Sequence, residues 1–180
     1  SYLCACHLRN KEMTLQERYE HVIRYFQQHM PVAETELHYS GPYELLVSVI
    51  LSAQCTDKRV NQVTPALFER FPTVYDMARS GPEEIFGYIR SCSYPNSKAR
   101  HLWAMACKVI TDFNGLVPES VEALMELPGV GRKTANVVTL VAFGNPSMPV
   151  DTHVFRVSAR IGLTRNARNP EEAEKQLVKH

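Results

Sequence analysis

Two glycines on either side of a valine, Gly129-Val130-Gly131, interrupt an otherwise helical stretch, and no other feature of the chain limits its fold as strongly. Upstream, 118–127 has a proline start, early acids and Val121, Leu124 and Leu127 at helical spacing. Downstream, 132–143 is rich in helix-compatible apolar residues. The pattern predicts helix, tight turn, helix. The glycines allow positive φ angles and close approach of the backbone to a partner, and the N–H groups opening the second helix are anion donors, so the turn suits a phosphate. An ordinary helical hairpin would use the same glycines merely to reverse the chain. Lys133 separates the two readings. In the first turn of the second helix, the positive end of the helix dipole favours the uncharged amine that a nucleophile needs. An exposed lysine that only binds phosphate is the other reading of the same position.

Asp151 follows the irregular stretch 144–149 and precedes the periodic Val154, Phe155, Val157 and Ile161, so it reads as an N-cap. A carboxylate pinned by capping bonds is also fixed in direction, as stabilising a developing sugar cation requires. Spacing alone favours the cap.

The remaining chain reads as helices. Thr14 and Glu17 form a capping box ahead of Leu15, Tyr19, Val22, Ile23 and Phe26. Pro42 opens a helix over 43–53, apolar on nearly every side and so central to a core. Further helices are predicted over 57–63, from Thr64-Pro65 onward, over 73–78, 83–89 and 97–113, and from Pro170. No alternating run demands a sheet, and no repeat, transmembrane run or secretion signal is present. A chain of 180 residues can bury one good core or two small helical lobes sharing a cleft. The formal charge of +1 does not advertise nucleic acid, yet from Gly129 to Arg168 the bases Arg132, Lys133, Arg156, Arg160, Arg165 and Arg168 face only Asp151 among the acids. Arg165 and Arg168 individually read as solvated helix faces. The five cysteines, Cys4, Cys6, Cys55, Cys92 and Cys107, are scattered and read as reduced intracellular thiols.

The stretches LPGVGRKTANVV (127–138) and VDTHVFRV (150–157), with Pro42-Tyr43-Glu44-Leu45-Leu46, Leu51-Ser52-Ala53-Gln54-Cys55-Thr56-Asp57 and Asn96-Ser97-Lys98-Ala99 in order, resemble the helix-hairpin-helix DNA glycosylases, specifically the endonuclease III family. The resemblance implies an all-α fold. It has a six-helix barrel over 41–144, with the hairpin at 118–143, and a second lobe from 13–40 and 145–180, the substrate cleft lying between them. Residues 1–12 look foreign to the family, and Cys4 and Cys6 are given no function.

The resemblance makes Lys133 the catalytic lysine and Asp151 the catalytic aspartate of a bifunctional glycosylase and abasic-site lyase in base excision repair, acting on oxidised pyrimidines with no metal in the chemical step. The expected DNA-binding residues are Gln54, which fills the gap left by the extruded nucleotide; Tyr94, where relatives insert an apolar wedge; Ser97 and Lys98; and Gly129, Val130, Gly131 and Arg132 of the hairpin. The expected partner is double-stranded DNA with a damaged base or abasic site, bound by a monomer away from membranes, intracellular and at the nucleoid if bacterial. No cofactor is expected within the chain. A [4Fe-4S] cluster is expected only in a protein extending past His180, where relatives carry a four-cysteine loop. Val154, Val157 and Ile161 are expected to expose apolar surface that further helices would cover. Two alternatives stay open: a non-catalytic hairpin module that grips DNA backbone, and a glycosylase of the same superfamily acting on oxidised purines.

Overall fold

The computed structural model describes residues 13–29 and 35–180, so Cys4, Cys6 and the segment 1–12 lie outside the described residues. Among the described residues every regular element is a helix: α1 Leu15–His29, α2 Pro42–Ser52, α3 Asp57–Arg70, α4 Val74–Arg79, α5 Pro82–Ile89, α6 Pro95–Phe113, α7 Val121–Met125, α8 Arg132–Phe143, α9 Thr152–Arg160 and α10 Pro170–Leu177. They form two compact units, Thr35–Ser147 and the unit that includes 13–29 and 148–180.

The larger unit is built around α2, in which all residues from Leu45 to Leu51 are buried. An element without a polar face needs neighbours on every side. Leu67 of α3, Met77 of α4, Ile85 of α5, Leu102 and Met105 of α6, Leu124 of α7 and Val138 of α8 join it in one core. Fully burying such a side chain contributes about 1.5–3 kcal/mol before entropy is counted. Residues 35–40 belong to this unit and not to the smaller lobe, because Leu37 enters its core and Asn61 holds the segment by accepting from the His38 N–H and donating to the Glu36 carbonyl.

Two helix boundaries depart from expectation. Thr64-Pro65 does not start a new helix: α3 runs continuously through Pro65, with Val60, Thr64 and Leu67 on one buried face. Thr56 caps its start instead by accepting from the Arg59 N–H. Pro118 does not open α7; Ser120 caps it, its hydroxyl accepting from the Ala123 N–H. The hairpin's first helix is therefore the short Val121–Met125.

In the smaller unit, Thr14 and Glu17 form the predicted capping box, with Thr14 N–H to Glu17 Oε2 at 2.7 Å. Tyr19 of α1 is buried and its hydroxyl donates to the Leu163 carbonyl at 2.9 Å. Val150, Leu163, Ala173 and Leu177 complete a small core. Beside it runs an apolar groove walled by Val22, Phe26, Val154, Val157 and Ile161. Val157 is exposed, whereas Val154 and Ile161 are half-buried.

Candidate active site

The hairpin turn is drawn tight by two backbone bonds, Leu127 N–H to Leu124 C=O at 3.0 Å and Val130 N–H to Leu127 C=O at 3.1 Å. Only one of its glycines has positive φ. Gly129 stands at +79°, with His101 packed where a Cβ would go, while Gly131 is extended, at φ −89°. A Cβ on Gly131 would meet nothing within 4 Å, and no side chain caps the start of α8 behind it. The turn thus presents a helix N-terminus across a glycine with open space in front, an arrangement suited to an anion. The sequence reading had allowed positive φ at both glycines; at Gly131 it is the absence of a side chain, and not the φ angle, that matters.

Lys133 is exposed in the first turn of α8. Packing of α8 against α2 places it on the wall of an open pocket with Thr134, Ala53, Gln54 and Asp57. In the sequence Asp57 reads as the start of a helix and the end of the Leu51–Asp57 motif, with no pointer to Lys133. Its place beside Lys133 depends on how α2 and α8 meet, which no local pattern encodes.

Gln54 and Tyr94 are both exposed and both in the left-handed backbone region, at φ 53° and 52°. Non-glycine residues seldom adopt it, so each needs support from its surroundings. That support converges on Lys98. Buried in the first turn of α6 at 5 % exposure, it points its ammonium at the C-terminal end of α2 and donates to the carbonyls of Leu51 and Ala53, each at 2.7 Å, and to Ser93 Oγ at 3.4 Å. Ser93 Oγ in turn donates to the Gln54 carbonyl. Burial holds the Lys98 ammonium below the usual lysine range, against the opposing pull of the Cys55 and Cys92 thiols. Burial, with the adjoining Cys55, pushes the Cys92 thiol up to about 11.

Asp151 is the N-cap of α9 in the smaller unit, half-buried, its Oδ1 accepting from the N–H groups of His153 and Val154 at 2.9 Å each. The carboxylate is fixed in direction by backbone. Among the described residues no group of three or more His, Cys, Asp or Glu side chains is placed to hold a metal ion. The described cysteines, Cys55, Cys92 and Cys107, do not fit a [4Fe-4S] cluster.

Residues 47–180 match the family model for the HhH-GPD superfamily base excision DNA repair protein. Endonuclease III of Synechocystis sp. is 47% identical over 150 residues, which span 83% of this chain and 68% of that protein. The chain belongs to the endonuclease III family. Endonuclease III of Bacillus subtilis is 46% identical over 149 residues, 83% of this chain and 68% of that protein. A solved structure of a trapped endonuclease III–DNA covalent intermediate superposes with a TM-score of 0.86 at 45% identity, covering 93% of this chain and 78% of that one.

Within this endonuclease III fold, two of the expected DNA-binding residues, Val130 and Lys98, are buried. The Val130 side chain is 7 % exposed in the core, and its N–H is used in the turn. Lys98 directs its ammonium inward, to acceptors of its own chain. Gly129, Gly131, Gln54 and Tyr94 are exposed, and Arg132 and Ser97 are half-buried. Ser93, the link from Lys98 to Gln54, lay unnoticed among the loop residues of the sequence.

Proposed function

We propose that this endonuclease III family member is a bifunctional DNA glycosylase and abasic-site lyase that removes oxidised pyrimidines from duplex DNA. One observation carries the reading: a lysine exposed in the first turn of α8, directly behind the open glycine turn, shares a pocket with Gln54. The hairpin N-terminus holds a backbone phosphate, and the damaged nucleotide leaves the stack because C1′ of a stacked nucleotide is out of reach. Gln54 and Tyr94 occupy the gap. The uncharged Lys133 amine attacks C1′ as the glycosidic bond breaks, and the base departs with its electron pair and takes up a proton. The Asp151 carboxylate stabilises the positive charge that develops on the sugar. The sugar ring opens to a Schiff base on Lys133. Loss of a C2′ proton expels the 3′ phosphate by β-elimination, and hydrolysis returns the lysine.

The working partner is double-stranded DNA with a damaged base or abasic site, bound by a monomer in the compartment that holds the cell's DNA. Among the described residues no helix is long and apolar enough to cross a membrane. A [4Fe-4S] cluster belongs only to a form of the protein that extends past His180.

Borohydride reduction tests the reading, because it converts the Schiff base into a stable amine and leaves protein covalently on abasic-site DNA. The wild-type chain is expected to trap and to nick. Lys133→Ala and Lys133→Gln are expected to do neither while retaining duplex binding through the hairpin. Trapping by either variant would overturn the assignment of the nucleophile.

A further inference from the structure

Among the described residues Lys98 is the one buried lysine, and the chemistry above does not use it. A buried ammonium persists only where acceptors replace its water, and here they come from two separate loops. Leu51 and Ala53 lie at the end of α2, just before Gln54; Ser93 lies just before Tyr94. The path from Lys98 Nζ to Ser93 Oγ to the Gln54 carbonyl joins the two loops through one side chain. Both residues held this way are left-handed, exposed and adjacent to the tie. A left-handed non-glycine residue relaxes unless its surroundings over-determine it.

We infer that Lys98 is a positioning residue that clamps the Gln54 turn to the Tyr94 loop, setting both side chains at the spacing needed to enter duplex DNA together. The clamp does not touch the reacting atoms. It rests on the reading that Gln54 and Tyr94 fill the stack, so its failure must be separable from the failure of that reading. Stack filling matters when a nucleotide is drawn from a duplex. It contributes nothing on a single strand carrying an abasic site, where the sugar is already accessible to Lys133.

The test is the ratio of borohydride trapping rates on duplex and single-stranded abasic-site DNA, measured in single turnover for Gln54→Ala, Tyr94→Ala, Lys98→Met and Ser93→Ala with melting followed in parallel. Loss of fold lowers both rates and leaves the ratio unmoved, whereas loss of the clamp lowers the ratio. Gln54→Ala and Lys98→Met are expected to lower it at least tenfold and Ser93→Ala at least threefold. If the ratio falls in Gln54→Ala but not in Lys98→Met, the clamp is overturned and the stack-filling reading survives. If neither Gln54→Ala nor Tyr94→Ala lowers it, the stack-filling reading fails and the clamp with it, even if Lys98→Met is defective. Should Lys98→Met not fold, Ser93→Ala decides: an unchanged ratio there overturns the clamp.

Discussion

Asp151 is a helix cap with a second, proposed role in catalysis, and an isosteric change divides the two. As a cap, it supplies an acceptor to the His153 and Val154 N–H groups, and Asn supplies that acceptor nearly as well. In its proposed role, stabilising a developing sugar cation, the charge has no substitute in Asn. Asp151→Asn is therefore expected to shift melting little, since the whole cap is worth about 0.5–2 kcal/mol and most of it survives. The trapping rate should fall about a hundredfold or more, the scale of losing one preorganised electrostatic group. Near-normal trapping by this variant would reduce Asp151 to a cap. The cap was legible in the sequence because it is local: an irregular stretch, an aspartate, then a helical period. The second role is compatible with the same residues, but spacing favours the cap, and only the resemblance points to catalysis. Lys98 marks the same boundary from the other side. Its neighbours in sequence place it in a motif expected to meet DNA, yet its two carbonyl acceptors lie 45 and 47 residues upstream, a distance over which linear pattern carries no signal.

Elements were legible where a local capping pattern marks the start, as at Thr14 with Glu17. Prolines misled at two places because a proline states where a helix can begin and not where it does. Pro65 sits within α3, whose buried face continues across it, and Pro118 lies ahead of a helix that Ser120 starts. The hairpin was legible as an element but not in its division of labour between glycines. Gly129→Ala forces an L-residue to φ +79° and sets its Cβ 2.8 Å from that of His101, so it is expected to lower stability by about 1–2 kcal/mol or more. Gly131→Ala puts a methyl into open space at an ordinary φ, and should stay within about 0.5 kcal/mol of wild type. It is nevertheless expected to weaken duplex binding, because the methyl stands at the proposed phosphate site. Melting curves and salt-matched binding titrations of the two variants check this. Equal stability losses would show that the second glycine is structural after all.

The two units differ greatly in what holds them together. The larger has a continuous core with α2 at its centre, whereas the smaller rests on Tyr19, Val150, Leu163, Ala173 and Leu177 beside an apolar groove in which Phe26 and Val157 remain about half exposed. Small cores leave little margin against chain entropy, and separate cores need not melt together. That both would exist was foreseeable from the helix count and the resemblance; how unequal they are was not, because burial is set by tertiary packing. We expect calorimetry to resolve two transitions, with amides of α9 and α10 exchanging hydrogen before those of α2 and α6. Tyr19→Phe removes only the hydroxyl bond to Leu163 and should cost about 0.5–1.5 kcal/mol, lowering the first transition alone. Leu46→Ala opens a cavity in the larger core, should cost about 2–5 kcal/mol, and should lower the second. A single transition displaced by both variants would mean that the units unfold as one.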